Sequence, residues 1–252
     1  MLGRILAHSS LGERFWSLYA VVYDTLLSLK PYTGMLEDVV AEVGFAKGAE
    51  ILDAGCGSGN LTRLLIDAGY RVQAVDASTG MLERASRKCP EASCMLVDLD
   101  RTLPFHDRSF DAVTCSNVLY SLPNPERTLA ELERVLRPGG RLVVTNPQPL
   151  FSMRKILDHH WANQGWFGRA RFLALVPSLV VLTAFNLLIL RQFKNRKFHF
   201  YSQPELESLF DKMGYQSVTV RPTYADQGWL VRACKRPQVT LLAPLLDFER
   251  TI

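Results

Sequence analysis

Three glycines at alternate positions, in Ile51-Leu-Asp-Ala-Gly55-Cys-Gly57-Ser-Gly59-Asn60, stand where a short apolar run gives way to a helical pattern. Glycine has no Cβ and tolerates positive φ, so a strand that turns into a helix here brings bare backbone close to a ligand. The spacing narrows the ligand. A dinucleotide loop of the G-x-G-x-x-G kind needs glycine at position 60, where Asn60 stands, and no P-loop lysine follows. Asp53 argues the same way, because a carboxylate beside the loop repels a pyrophosphate and suits an ammonium or sulfonium charge. Cys56, inside the loop, reads as a small filler.

The loop opens an alternation of β-rich and helical runs from Glu50 to about Asn146, the pattern of a parallel α/β sheet. Strands are expected at Glu50–Ala54, Arg71–Val75, Ser93–Val97, Asp111–Ser116 and Arg141–Thr145. Helices begin near Asn60, near Ser78, and at Asn124-Pro125, an N-cap followed by an N1 proline. Gly69 closes the first of these, and the third stops before Pro138-Gly139-Gly140. Ser202-Gln-Pro-Glu205 reads as a capping box for a last helix ending at Gly214, followed by strands near Gln216–Arg221 and Trp229–Cys234. One domain is expected over 1–252. It comprises a helical N-terminal cap (1–48), a cofactor-binding core (49–147), an insert after strand five (148–201), the final helix and strand pair (202–236) and a tail (237–252).

Two further acids stand at strand ends. Asp76 follows strand two, 17 residues beyond Gly59, where a carboxylate can accept hydrogen bonds from both hydroxyls of a ribose. Asp98 follows strand three, within reach of an adenine amino group. The loop and both acids together describe a site for a phosphate-free adenosine ligand at the carboxyl edge of the sheet. Asn117-Val-Leu-Tyr120 follows strand four, where contacts to a second substrate belong. It lacks the two prolines of the N-P-P-Y signature, which disfavours a DNA or glutamine substrate.

Leu52-Asp-Ala-Gly-Cys-Gly-Ser-Gly59, Val75-Asp-Ala-Ser78 with Met81-Leu82, Val97-Asp98, Leu103-Pro-Phe105, Phe110-Asp111-Ala112 and Leu136-Arg-Pro-Gly-Gly140 resemble the class I S-adenosylmethionine-dependent methyltransferases. The resemblance implies a Rossmann-like, seven-stranded, mostly parallel sheet with helices on both faces and an antiparallel final strand. It also implies that Gly55, Gly57 and Gly59 pass the methionine moiety, Asp76 holds the ribose, and Asp98 with Leu99 holds the adenine. Met81 packs on the cofactor, and Asp53, Ala77, Ser116 and Asn117 complete the binding set. Tyr19-Ala-Val-Val-Tyr23-Asp24 looks like the Y-x-x-x-Y-D of small-molecule and lipid methyltransferases, in which the tyrosines line the cofactor and acceptor cavity. Tyr19, Tyr23 and Tyr120 are therefore candidate acceptor contacts, although each also suits a plain core tyrosine. His159 and His160 are further candidates, with a polar surface role the preferred reading. Methyl transfer from a sulfonium needs in-line placement and exclusion of water rather than a dedicated base, so no catalytic residue is assigned.

Between His159 and Pro204 there is no Asp or Glu, while six Arg and Lys contribute +6 of the chain's net +4, leaving the remainder at −2. Uniform basicity would hint at nucleic acid. Here the excess flanks Phe172–Leu190, a run of 19 residues of which 15 are apolar, a pairing that suits an anionic membrane surface. A single crossing is excluded by topology, because the last helix and strands must rejoin the same sheet. The run is expected to be a core helix, a lid over a greasy pocket, or a helix lying in the bilayer interface. Trp161, Trp166 and Phe167 add interfacial aromatics. Five cysteines without CxxC spacing suggest reduced thiols and no structural metal, and no signal peptide is read at the N-terminus. The sequence thus points to methylation of a hydrophobic or amphipathic small molecule or lipid, in a cytoplasmic protein held peripherally at the inner membrane face through 161–197. The alternatives are a soluble natural-product or quinone-type methyltransferase and a non-catalytic adenosylmethionine-binding scaffold.

Overall fold

A computed structural model describes residues 23–149, 152–162 and 199–237, with positions 177, 180, 181 and 184 singly. Tyr19, most of the apolar run and the tail beyond 237 lie outside the described residues. A 3₁₀ turn at Asp24–Ser28 leads into α1 (Lys30–Val43), then β1 (Glu50–Ala54), α2 (Asn60–Asp67), β2 (Arg71–Asp76), α3 (Thr79–Lys88), β3 (Ser93–Leu96) and β4 (Phe110–Ser116). A second 3₁₀ turn at Leu119–Ser121 is followed by α4 (Pro125–Val135), β5 (Leu136–Pro147), α5 (Met153–Ala162), α6 (Gln203–Lys212), β6 (Gln216–Thr223) and β7 (Gly228–Cys234).

The seven strands form one sheet in the order β3-β2-β1-β4-β5-β7-β6. β1 to β5 pair in parallel, and β7 runs antiparallel to both β5 and β6. The order reverses at β1, so the carboxyl ends of β1 and β4 flank the crevice where α/β sheets bind ligands. Alternation along the strands separates two cores. Leu52, Val113, Val144 and Val231 pack with α4 and α6 on one face, while Ile51, Val72, Ala112, Val143 and Leu230 pack with α1, α2 and α5 on the other.

The helix ends carry the chemistry expected of them. The Asn124 side chain accepts the Arg127 N–H at 3.0 Å, the Ser78 hydroxyl accepts the Met81 N–H at 3.3 Å, and the Glu205 carboxylate accepts the Ser202 N–H at 2.7 Å. Most strand ends fall within two residues of the sequence reading, and the start of β5 differs by more. β5 begins at Leu136 rather than Arg141, because a shift of register between Phe110 and Ala112 lets the Pro-Gly-Gly segment stay in the sheet. Glycine is required there, since a Cβ on Gly140 would stand 2.8 Å from the Arg137 carbonyl oxygen and 2.9 Å from that of Asp111.

Candidate functional site

The glycine loop leaves β1 with Gly55, Gly57 and Gly59 all at positive φ. Each glycine answers a different constraint. A Cβ on Gly55 would lie 2.4 Å from Val118 Cγ2, and one on Gly59 would lie 2.9 Å from Ala85 Cα, so these two let the loop pack against the β4 exit and α3. Among the described residues a Cβ on Gly57 would meet only Tyr23 Cε1, at 4.0 Å, so these residues leave room for a ligand against this backbone.

Asp76 is where β2 meets the loop. One of its carboxylate oxygens accepts the Gly57 N–H and the other the Ser78 N–H, both at 2.9 Å. Burial raises its pKa, and those backbone N–H groups with that of Ala77 oppose the rise. A carboxylate has about four acceptor positions, so the group retains capacity for a ligand hydroxyl. Ala77 is exposed beside it. Asp98, after β3, accepts the Asp100 N–H at 3.0 Å and pairs with Arg101 at 3.3 Å. The Leu99 side chain is buried in the core and its carbonyl accepts the Thr128 hydroxyl.

Asp53 serves the scaffold. Its two oxygens accept the hydroxyls of Thr62 (2.7 Å) and Thr114 (2.9 Å), tying β1 to α2 and β4. Burial pushes its pKa up to about 6, against the effect of those two hydrogen bonds. Met81 is buried against α2 and the β2 core. At the end of β4 the Ser116 and Thr145 hydroxyls are 2.8 Å apart. Asn117 adopts φ 53°, donates its N–H to the Thr145 carbonyl at 3.0 Å and directs its amide at Met35 Sδ, 3.6 Å away.

The N-terminal turn closes over the loop. Asp24 accepts the Ser58 hydroxyl at 2.6 Å and pairs with Lys88 at 3.1 Å, and Lys88 also bonds the Asn60 side-chain oxygen. Tyr23, Tyr32 and Tyr224 stand edge to face in series, with the Tyr32 and Tyr23 hydroxyls 3.3 Å apart. Burial raises the Tyr32 pKa. The structure places Tyr23 beside the loop, its Cε1 4.0 Å from where a Cβ on Gly57 would stand. Tyr32 and Tyr224 carried no sequence signal of their own, and Lys88 belongs to a helix whose exposed face holds other basic residues.

Tyr120 lies in the turn after β4, with its ring stacked on Phe200. The histidine pair divides. His159 is exposed, but His160 is 3% exposed, which corrects its reading as a surface residue. His160 Nδ1 accepts the Lys30 N–H at 3.2 Å and so caps α1 from α5. A cleft of about 660 Å³ lies between α1, α5 and the β6–β7 turn, lined by Lys30, Met35, Asp38, Lys155, His159 and Tyr224. Charges of both signs make it a polar cleft. Among the described residues no cluster of metal-ligating side chains occurs.

The sheet order, the open Gly57 backbone and the Asp76 carboxylate with lone pairs to spare fit an adenosine ligand that carries no phosphate. A methyltransferase-domain family matches residues 52–144. A demethylmenaquinone methyltransferase of Symbiobacterium thermophilum is 32% identical over 198 residues, covering 71% of this chain and 72% of the relative. The chain belongs to the class I S-adenosylmethionine-dependent methyltransferases. A demethylmenaquinone methyltransferase of Renibacterium salmoninarum is 43% identical over 106 residues, and the chain spans 44% of its length. A SAM-dependent methyltransferase of Aquifex aeolicus shares the fold at TM-score 0.54 and 18% identity, covering 84% of this chain and 92% of that one.

Proposed function

We propose that this chain transfers a methyl group from S-adenosylmethionine to a quinone-type acceptor. The observation that carries the reading is the match to the Symbiobacterium demethylmenaquinone methyltransferase over most of both chains. S-adenosylmethionine, when bound, supplies an already activated methyl group.

The residues of this chain bind, orient and shield. Asp76 holds the ribose hydroxyls, the Gly55–Gly59 backbone borders the methionine moiety, and Asp98 with the Leu99 N–H meets the adenine. Met81, Ala77, Ser116 and Asn117 border the same site, while Asp53 supports it from beneath. The Asp24–Lys88 pair clamps the N-terminal turn on the loop and keeps water from the sulfonium side. The acceptor ring lies over the carboxyl ends of β4 and β5, against Tyr120 and Phe200. The polar cleft beside α1 is a poor fit for such a ring.

An assay with reduced demethylmenaquinone and S-adenosylmethionine should yield a product heavier by one methylene unit. Absence of that product from a protein that binds the cofactor would overturn the acceptor.

The segment 161–197 supports a membrane-surface role, because its apolar run is flanked by basic residues without acidic ones. Among the described residues no helix is long and apolar enough to cross a membrane. Cosedimentation with anionic phospholipid vesicles, decreasing as salt rises, is the expected result, and equal binding to neutral vesicles would contradict the electrostatic part.

A further inference from the structure

We infer that Asn146 selects the acceptor by its hydroxyl: the Asn146 side-chain oxygen receives a hydrogen bond from a ring hydroxyl of the reduced, hydroquinone form. This inference rests on the quinone-type reading. Asn146, next to last in β5, is fully buried, and its Oδ1 has no hydrogen-bond partner among the described residues. The amide orientation is not free to reverse. Its Nδ2 donates to the carbonyl oxygens of Pro147 (3.3 Å) and His199 (3.2 Å), and a flipped amide would set oxygen against both. Buried acceptors are almost always satisfied, so an oxygen held in place without a donor marks where one arrives from outside the chain.

The surroundings give that donor's shape. The His199 N–H donates to the Tyr120 carbonyl at 2.8 Å, and Trp229 Nε1 donates to the Tyr201 carbonyl at 3.1 Å. Residues 199–201 are therefore pinned beside the end of β5, with Asn146 as one of the pins. The rings pair across this segment, Phe200 on Tyr120 at 5.7 Å and His199 on Tyr201 at 5.9 Å. Phe200 is 36% exposed, so the segment bonded to Asn146 presents aromatic surface to solvent. A flat ring stacks on such a surface. An amide oxygen can only accept, so the ring must donate. A hydroquinone hydroxyl does so, whereas the oxidised quinone offers acceptors alone and would leave Oδ1 unmet.

The test compares a naphthohydroquinone with its dimethyl ether, which keeps the ring and loses the donors. Binding is measured with wild type, Asn146→Ala and Asn146→Val, neither of which carries a side-chain acceptor, and cofactor affinity serves as the check that each variant folds. Wild type should prefer the hydroquinone about tenfold, the scale of one buried hydrogen bond, and the variants should bind both compounds within about twofold. A role confined to pinning His199 would weaken both ligands equally and preserve the preference. Preference retained in either folded variant would overturn the inference alone, with Oδ1 then met by water. Failure of wild type to bind either ring would overturn the quinone reading and this inference with it.

Discussion

Asp76 uses both carboxylate oxygens to hold the glycine loop and the start of α3, and keeps remaining acceptor capacity for a ligand. Asp76→Ala should therefore weaken S-adenosylmethionine binding by about 1.5–3 kcal/mol, as charged hydrogen bonds do. Calorimetric titration measures this, and an unchanged affinity would remove Asp76 from the site. Asp53 makes a different prediction. Its folded pKa of about 6 lies above the ordinary carboxylate value, so its contribution to stability is complete below about pH 4 and is lost as pH rises through 6. Asp53→Asn, which does not titrate, should flatten urea stability across that window. An unaltered pH profile would mean that the carboxyl group is not the source. Asp76 was legible in the sequence because strand-end acids have a fixed spacing from the loop. The partners of Asp53 were not, since Thr62 and Thr114 meet it only once β1, β4 and α2 are packed.

α1 and α5 are joined through His160, whose Nδ1 accepts the first N–H of α1. Burial, with the Lys30 charge added, lowers the His160 pKa, so the folded state resists the proton that the unfolded chain takes up. Stability should hold above pH 6.5 and fall as pH drops below it. His160→Gln keeps an acceptor without titrating, and its urea midpoint should lose that fall; a variant that tracks wild type between pH 7 and 5 would contradict the joint. Helix starts at Asn124, Ser78 and Ser202 were readable because their caps are local in sequence. The His160 cap was not, because its partner is 130 residues away. The start of β5 was likewise hidden, since Pro-Gly-Gly reads as a stop unless the bulge opposite Phe110 is known.

At the scale of the molecule, the sheet order with its reversal at β1 places the loop, Asp76, Asp98 and the end of β4 along one crevice. That arrangement followed from the alternation of strands and helices together with the glycine spacing. The acceptor side was less legible. Asn146, Phe200 and Trp229 come from three separate segments, and their meeting depends on how β7 returns against β5. Ligand linkage gives the molecule a global readout, with S-adenosylmethionine at a hundred times its Kd expected to add about 2.7 kcal/mol to stability. The most direct test of the account is transfer of radiolabelled methyl from S-adenosylmethionine to reduced demethylmenaquinone by the purified protein. The account predicts label in the extracted quinone, dependent on Asp76. Label that stays with the cofactor while the protein binds it tightly would contradict it.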